Sequence, residues 1–214
     1  MLKNKRLSIL GDSISTYVGV SNNANINPTI GYNPVFYNPP FPREKTYWEL
    51  VRDHFGMVLC VNNSWSGGNL SGKDDPTSGV NRANELADTQ KNNPDLIILF
   101  MGINDLGRGI ATEVFSEDYS KTLDTLKKLY PEARIVCVNI PDREPYFKKR
   151  AEAFNKAIEY GVTLHGEGCF IADLFNSRLN NDFYYNNTFD GLHPDEDGMR
   201  IIAEVIIKAI EENI

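Results

Sequence analysis

Five short apolar runs constrain this 214-residue chain more than any other feature. They lie at residues 6–10, 57–62 (MVLCVN), 95–101 (DLIILFM), 134–140 (RIVCVNI) and 169–171. All are rich in Val, Ile or Leu, and none alternates with polar residues, which is the pattern of strands covered on both faces. Helical stretches fill the gaps. Residues 47–55 and 80–91 read as helices. A third runs over 116–130, with Ser116 as cap, Tyr119, Leu123, Leu126 and Tyr130 at helical spacing, and Pro131 as its stop. A fourth covers 146–164 with Phe147, Phe154 and Ile158. The last has Pro194 at its start, acids at 195–197 in its first turn, and Met199, Ile202, Val205, Ile206 and Ala209 as an apolar stripe. Strand and helix in alternation predict an α/β fold: a three-layer α/β/α sandwich around a mostly parallel five-stranded sheet, with right-handed crossovers.

Neither a repeat nor a linker divides the chain, so residues 1–214 are expected to form one domain. Residues 17–46 break the rhythm. They are rich in Asn, Pro, Tyr and Gly, show no period, and are long enough to predict a functional loop near the site.

Several classes of protein are disfavoured. A net charge of −7 without a Lys/Arg cluster argues against a nucleic-acid partner. The apolar runs are of strand length, so no membrane span is expected. The chain opens MLKNKR and enters a strand at once, which leaves no room for a signal peptide and points to the cytoplasm. Cys60, Cys137 and Cys169 lie in or beside apolar runs and read as small buried hydrophobes in a reduced protein; none has the spacing of a metal site. The Asn-x-Ser/Thr triplets at Asn62, Asn69 and Asn186 are read as chance.

In an open parallel sheet, ligands bind outside the carboxyl ends of the strands. The residues that follow the runs are Gly11-Asp12-Ser13, the segment NNSWSGGN with Gly67 and Gly68, Gly102-Ile103-Asn104-Asp105, and Asn139-Ile140-Pro141-Asp142, with Asp190-Gly191-Leu192-His193 just before the last helix. Serine acyl transfer needs a base within reach of the hydroxyl, and His193 supplies one. The base needs its other ring nitrogen held by an acceptor, and Asp190 sits three residues upstream on one turn. The oxyanion needs donors fixed in advance: a backbone N–H that glycine lets approach closely, an asparagine amide, and the serine's own N–H. Gly67, Asn104 and Ser13 supply them.

On these four blocks the chain resembles the SGNH, or GDSL-type, hydrolases. They stand here as GDS, with Ile14 where the family usually has Leu, then NSWSG, GIND and DGLH, in the family's order. The resemblance implies a flavodoxin-like sandwich and ester hydrolysis through an acyl-serine, without metal or cofactor. It assigns the nucleophile to Ser13, the base and acid to His193 and Asp190, and the oxyanion donors to Ser13, Gly67 and Asn104. Gly68 is the alternative glycine one position on.

Read singly, each block has a plainer account. Gly-Asp-Ser after a strand is a turn with a cap, His193 before Pro is a capping residue, GIND is a loop, and SGGN is a flexible one. Asp12, Trp65, Gly68, Asp105 and Asp142 are candidates for the substrate-binding surface. For Asp12 and Asp105 a bracing role is weighed first; for Asp142 with Arg143, an exposed ion pair. His54 and His165 lack a motif partner. The aromatics Tyr17, Tyr32, Phe36, Tyr37 and Phe41, with Trp48 and Trp65 nearby, suit either a sugar or short-chain ester or a satellite core of the loop. Two other functions stand beside the hydrolase: a flavodoxin-like phosphate or nucleotide-binding module, and an acyltransferase using the same triad.

Overall fold

A computed structural model describes residues 2–21, 37–141, 148–179 and 186–214. Its five strands are β1 (Arg6–Gly11), β2 (Val58–Ser64), β3 (Leu96–Phe100), β4 (Arg134–Val138) and β5 (Cys169–Ala172). They form one sheet of order β2-β1-β3-β4-β5 with every pair parallel. This is the flavodoxin-like order, with its switch point between β1 and β3. All five residues of the central β3 are buried, as its unbroken apolar run requires. The edge strand β2 is covered only at its carboxyl end, and Val58 is exposed. Its register slips at Cys60, so that Leu7 faces Leu59 while Ser8 faces Val61. The expected two-sided cover therefore fails along the first half of this strand.

The helices are α1 (Tyr47–Phe55), α2 (Gly79–Arg82), α3 (Ile103–Arg108), α4 (Thr112–Leu129), α5 (Lys148–His165) and α6 (Glu196–Asn213). On one face of the sheet α1 packs against α6; on the other α4 packs against α5 and α2. The stripes read from the sequence are the buried faces. Tyr119, Leu123 and Leu126 of α4 are fully buried, as are Met199, Ile202 and Ile206 of α6, with Val205 at the margin. Asp195, one residue past Pro194, caps α6 by accepting from the Gly198 N–H at 2.9 Å.

Two helix boundaries differ from expectation. The helix expected over 80–91 ends at Arg82. Beyond it the Asp88 carboxylate takes the N–H groups of Gln90 and Asn92, each at 2.9 Å, and this local bonding outcompetes further helix. The helix expected from Ser116 starts at Thr112 with no side-chain cap. The added turn brings in Phe115, which is fully buried against Phe154. Phe147, Asp142 and Arg143 lie outside the described residues, as do Tyr32 and Phe36. Among the described residues no helix is long and apolar enough to cross a membrane.

Candidate active site

The chain leaves β1 into a single 3-10 turn, Ser13–Ser15, and Asp12 caps it by accepting from the Ile14 N–H at 3.0 Å. Ser13 is thereby held at the sheet edge with its hydroxyl 2.9 Å from Nε2 of His193. The loop that carries His193 is closed at its base, where Asp195 N–H donates to the Asn187 carbonyl at 2.9 Å and Thr188 bridges Pro194. Inside this loop Asp190 gathers three contacts. Its Oδ2 lies 2.6 Å from His193 Nδ1, and its Oδ1 accepts from the N–H groups of Leu192 at 2.9 Å and His193 at 2.7 Å. Burial pushes the Asp190 carboxyl up, but these hydrogen bonds outweigh it and hold the group below the usual carboxylate range. The structure thus brings Ser13, His193 and Asp190 into one hydrogen-bonded line.

Gly67 and Asn104 arrive from the ends of β2 and β3, on either side of the switch point. Gly67 has φ +71°, a left-handed conformation that favours glycine. Among the described residues, the N–H groups of Gly67 and Ser13 meet no acceptor. The N–H of Gly68, by contrast, is committed to the Trp65 carbonyl at 2.9 Å, and a Cβ on Gly68 would lie 3.0 Å from that same oxygen. Asn104 opens α3, and its Nδ2 donates to the Gly68 carbonyl at 3.0 Å, which ties the β3 loop to the β2 loop. Beside Gly67 runs a polar pair, with Arg108 Nη1 donating to Asn69 Oδ1 at 2.6 Å.

Three residues considered for substrate contact lie beneath this surface. Trp65 is buried. Asp105 is fully buried, and its two oxygens accept from the N–H groups of Leu70 at 2.7 Å and Ser71 at 2.9 Å, bracing the loop that follows Gly67. Burial raises its pKa, and the two backbone bonds offset only part of that. Asp12 is 1% exposed. Burial, with the Asp105 charge adding to it, pushes its carboxyl up to about 7 despite the Ile14 N–H and the Arg82 charge. Gly68 serves the loop turn, and Asp142 lies outside the described residues.

Two neighbours carried no motif. Arg82 is buried, and its guanidinium donates to the backbone carbonyls of Gly11 and Asn63, near the carboxyl ends of β1 and β2, and of Thr77 in the loop before α2. Nothing in the string SGVNR marks it. Tyr37, one aromatic among many in the long loop, lays its ring on the imidazole of His193. Of the other described aromatics near that loop, Phe41 and Trp48 are buried and Tyr17 is partly so, which fits a satellite core better than a stacking surface.

The chain is similar to known ester hydrolases in sequence and in fold. The model of the GDSL-like Lipase/Acylhydrolase family matches residues 9–201, and the chain belongs to that family, a group of carboxylic ester hydrolases. It is 23% identical over 215 residues to an arylesterase of Vibrio mimicus, a match that covers 99% of this chain and 90% of the relative. It is 26% identical over 141 residues to the GDSL esterase/lipase WDL1 of Oryza sativa subsp. japonica, covering 56% of this chain and 54% of that protein, so it spans only about half of that relative's length. A solved Bacteroides ovatus chain assigned to the GDSL-like lipases superposes with a TM-score of 0.73 at 22% identity, over 98% of this chain and 99% of that one.

Proposed function

We propose that the protein hydrolyses small carboxylic esters through an acyl-Ser13 intermediate. With the Nδ1–H of His193 donating to the Asp190 carboxylate, the Nε2 lone pair faces the Ser13 hydroxyl. Ser13 Oγ attacks the ester carbonyl as its proton passes to Nε2. The tetrahedral oxyanion is received by the N–H groups of Ser13 and Gly67 and by the Asn104 amide. The carbon–oxygen bond to the alcohol then breaks, and His193 returns its proton to the leaving alkoxide. Water, deprotonated by the same imidazole, attacks the acyl carbon and frees the acid and Ser13.

The observation that carries this reading is the unbroken line from Ser13 Oγ through the imidazole to Asp190, at 2.9 and 2.6 Å. Gly67 is favoured over Gly68 as the glycine donor because the Gly68 N–H is already spent within its own turn. A phosphate-binding role for the first loop is disfavoured, since the Asp12 carboxylate already occupies the N-terminus of the 3-10 turn. For the substrate we favour short acyl groups on a polar alcohol or phenol. The Arg108–Asn69 pair beside Gly67 offers polar contacts, and the Vibrio relative is named an arylesterase. Among the described residues, the buried loop aromatics Phe41 and Trp48 lend the O-acetyl sugar reading no stacking surface, and acetylated sugars are retained as one arm of the test.

The experiment is labelling with a fluorophosphonate, mapping of the modified residue, and turnover of p-nitrophenyl esters from acetyl to dodecanoyl alongside acetylated sugars. Labelling of Ser13, with turnover greatest on the short chains, is the expected result. Labelling elsewhere overturns the mechanism, and a preference for the longest chains overturns the substrate class. Added alcohols that divert product into a new ester would identify acyl transfer instead of hydrolysis.

A further inference from the structure

The ring of Tyr37 lies parallel to the imidazole of His193, with centroids 3.7 Å apart and planes within 8°. The Tyr37 ring also stacks with Phe189, at 5.9 Å and 19°, and Phe189 meets Phe41 edge-on at 6.4 Å. Its backbone is fixed as firmly as its ring. The Tyr37 N–H donates to Ser66 Oγ at 2.7 Å, one residue before Gly67. The Thr16 hydroxyl lies 2.7 Å from the Tyr37 carbonyl and 2.9 Å from the Ser13 carbonyl. The long loop is therefore tied at Tyr37 to the segments that carry Ser13 and Gly67. The phenol oxygen, by contrast, is buried and meets no hydrogen-bond partner among the described residues.

From this we infer that Tyr37 is a positioning residue whose flat ring keeps the His193 imidazole in the plane joining Asp190 to Ser13; the inference rests on the acyl-serine reading above. An imidazole swings about two side-chain torsions, and its hydrogen bonds at the two nitrogens resist rotation only weakly out of plane. A parallel ring at contact distance blocks that motion. The same ring covers one face of the imidazole. Its electron-rich face also meets the positive charge that the imidazole acquires when it accepts the Ser13 proton. The face of Tyr37 that meets the imidazole is closed to substrate, and the ring acts through the base. Its effect should therefore fall on kcat and not on KM.

The test compares wild type with Tyr37→Phe, Tyr37→Ala and Tyr37→Leu, reading kcat and KM on p-nitrophenyl acetate and the rate of Ser13 labelling by a fluorophosphonate. Loss of the ring in the Ala variant should lower kcat and the labelling rate together by about 10–100-fold, the scale of a misplaced reacting group, with KM nearly unchanged. Leu fills much of the volume without a flat face, so it should show the same loss, and it carries the test should the Ala variant fail to fold. Phe keeps the ring and discards only the unpartnered hydroxyl, so it should restore wild-type values. The inference is overturned if Ala and Leu label and turn over at the wild-type rate, if their defect lies in KM alone, or if Phe loses as much as Ala. If wild-type Ser13 resists labelling, the acyl-serine reading fails first and takes this inference with it. If wild type labels normally and only the Tyr37 variants behave unexpectedly, this inference alone fails.

Discussion

The Ser13 hydroxyl and the His193 Nε2 nitrogen are separated by 180 positions along the chain and by 2.9 Å in space. The parallel sheet makes this possible, because every strand delivers its carboxyl end to the same edge. β1 brings Ser13 there directly. The closed loop ahead of α6 brings His193 to the same edge from the far end of the chain. The pair is consequently made only when the whole sheet is assembled, and local structure on either side cannot supply it.

Asn104 is the donor whose removal should be most informative. Asn104→Ala deletes an amide that the mechanism assigns to the oxyanion, and it should lower kcat by about 10²–10³-fold. Because the same amide bonds the Gly68 carbonyl, the melting temperature should be measured on the same preparation. A variant that keeps wild-type kcat while folded removes Asn104 from the oxyanion site.

Asp12 should make stability depend on pH in the direction opposite to most carboxylates. Burial raises its folded-state pKa to about 7, so the native form holds a proton that the unfolded chain releases near pH 4. Below both values the group has no effect. As pH rises from about 4 to about 7 the unfolded state alone gains by ionising, so this group lowers stability across that window and its effect levels off above it. Asp12→Asn keeps the acceptor for Ile14 and should flatten that slope in urea unfolding measured from pH 4 to 8. An unchanged slope would show that Asp12 does not titrate there.

Asp105 should prove a stability residue with a secondary effect on turnover. Asp105→Ala strands the buried N–H groups of Leu70 and Ser71, at a cost of about 2–4 kcal/mol in urea unfolding. Asp105→Asn, which keeps an acceptor, should cost less than Ala. Equal stability of Asp105→Ala and wild type would refute the bracing role.

Gly102 should not tolerate a side chain. Its φ is +127°, and a Cβ there would lie 2.9 Å from Ile140 Cδ1 and 3.1 Å from the Phe115 ring. Gly102→Ala is expected to cost about 2–3 kcal/mol and to shift Asn104, two residues on, so that thermal stability and kcat both fall. The check is a melting curve alongside turnover.

What was legible in the sequence had a local cause. The five strands were visible because runs such as DLIILFM are apolar on both faces, and β3 is indeed buried throughout. The residues at the strand ends were visible because the chemistry needs particular side chains at particular loops, and a parallel sheet predicts which loops meet. The rest depended on polar and ring contacts of single side chains, some local and some between distant segments. The stretch 80–91 reads as helix until Asp88 turns back on the backbone, an event of local hydrogen bonding that hydrophobic spacing does not register. Arg82 looks like a surface cation until three carbonyls surround it. Tyr37 lies in a segment without period, so nothing in its neighbours indicates that it meets His193.

Arg82 has one last consequence. A guanidinium that donates to the carbonyls of Gly11, Asn63 and Thr77 joins the ends of β1 and β2 to the loop before α2 as a covalent cross-link would, and it does so without a disulfide. Reducing agents therefore have no disulfide to cut at this corner. Free guanidinium ion offers those carbonyls the same donors, so guanidinium chloride should loosen this corner at concentrations where an equally denaturing amount of urea leaves it closed.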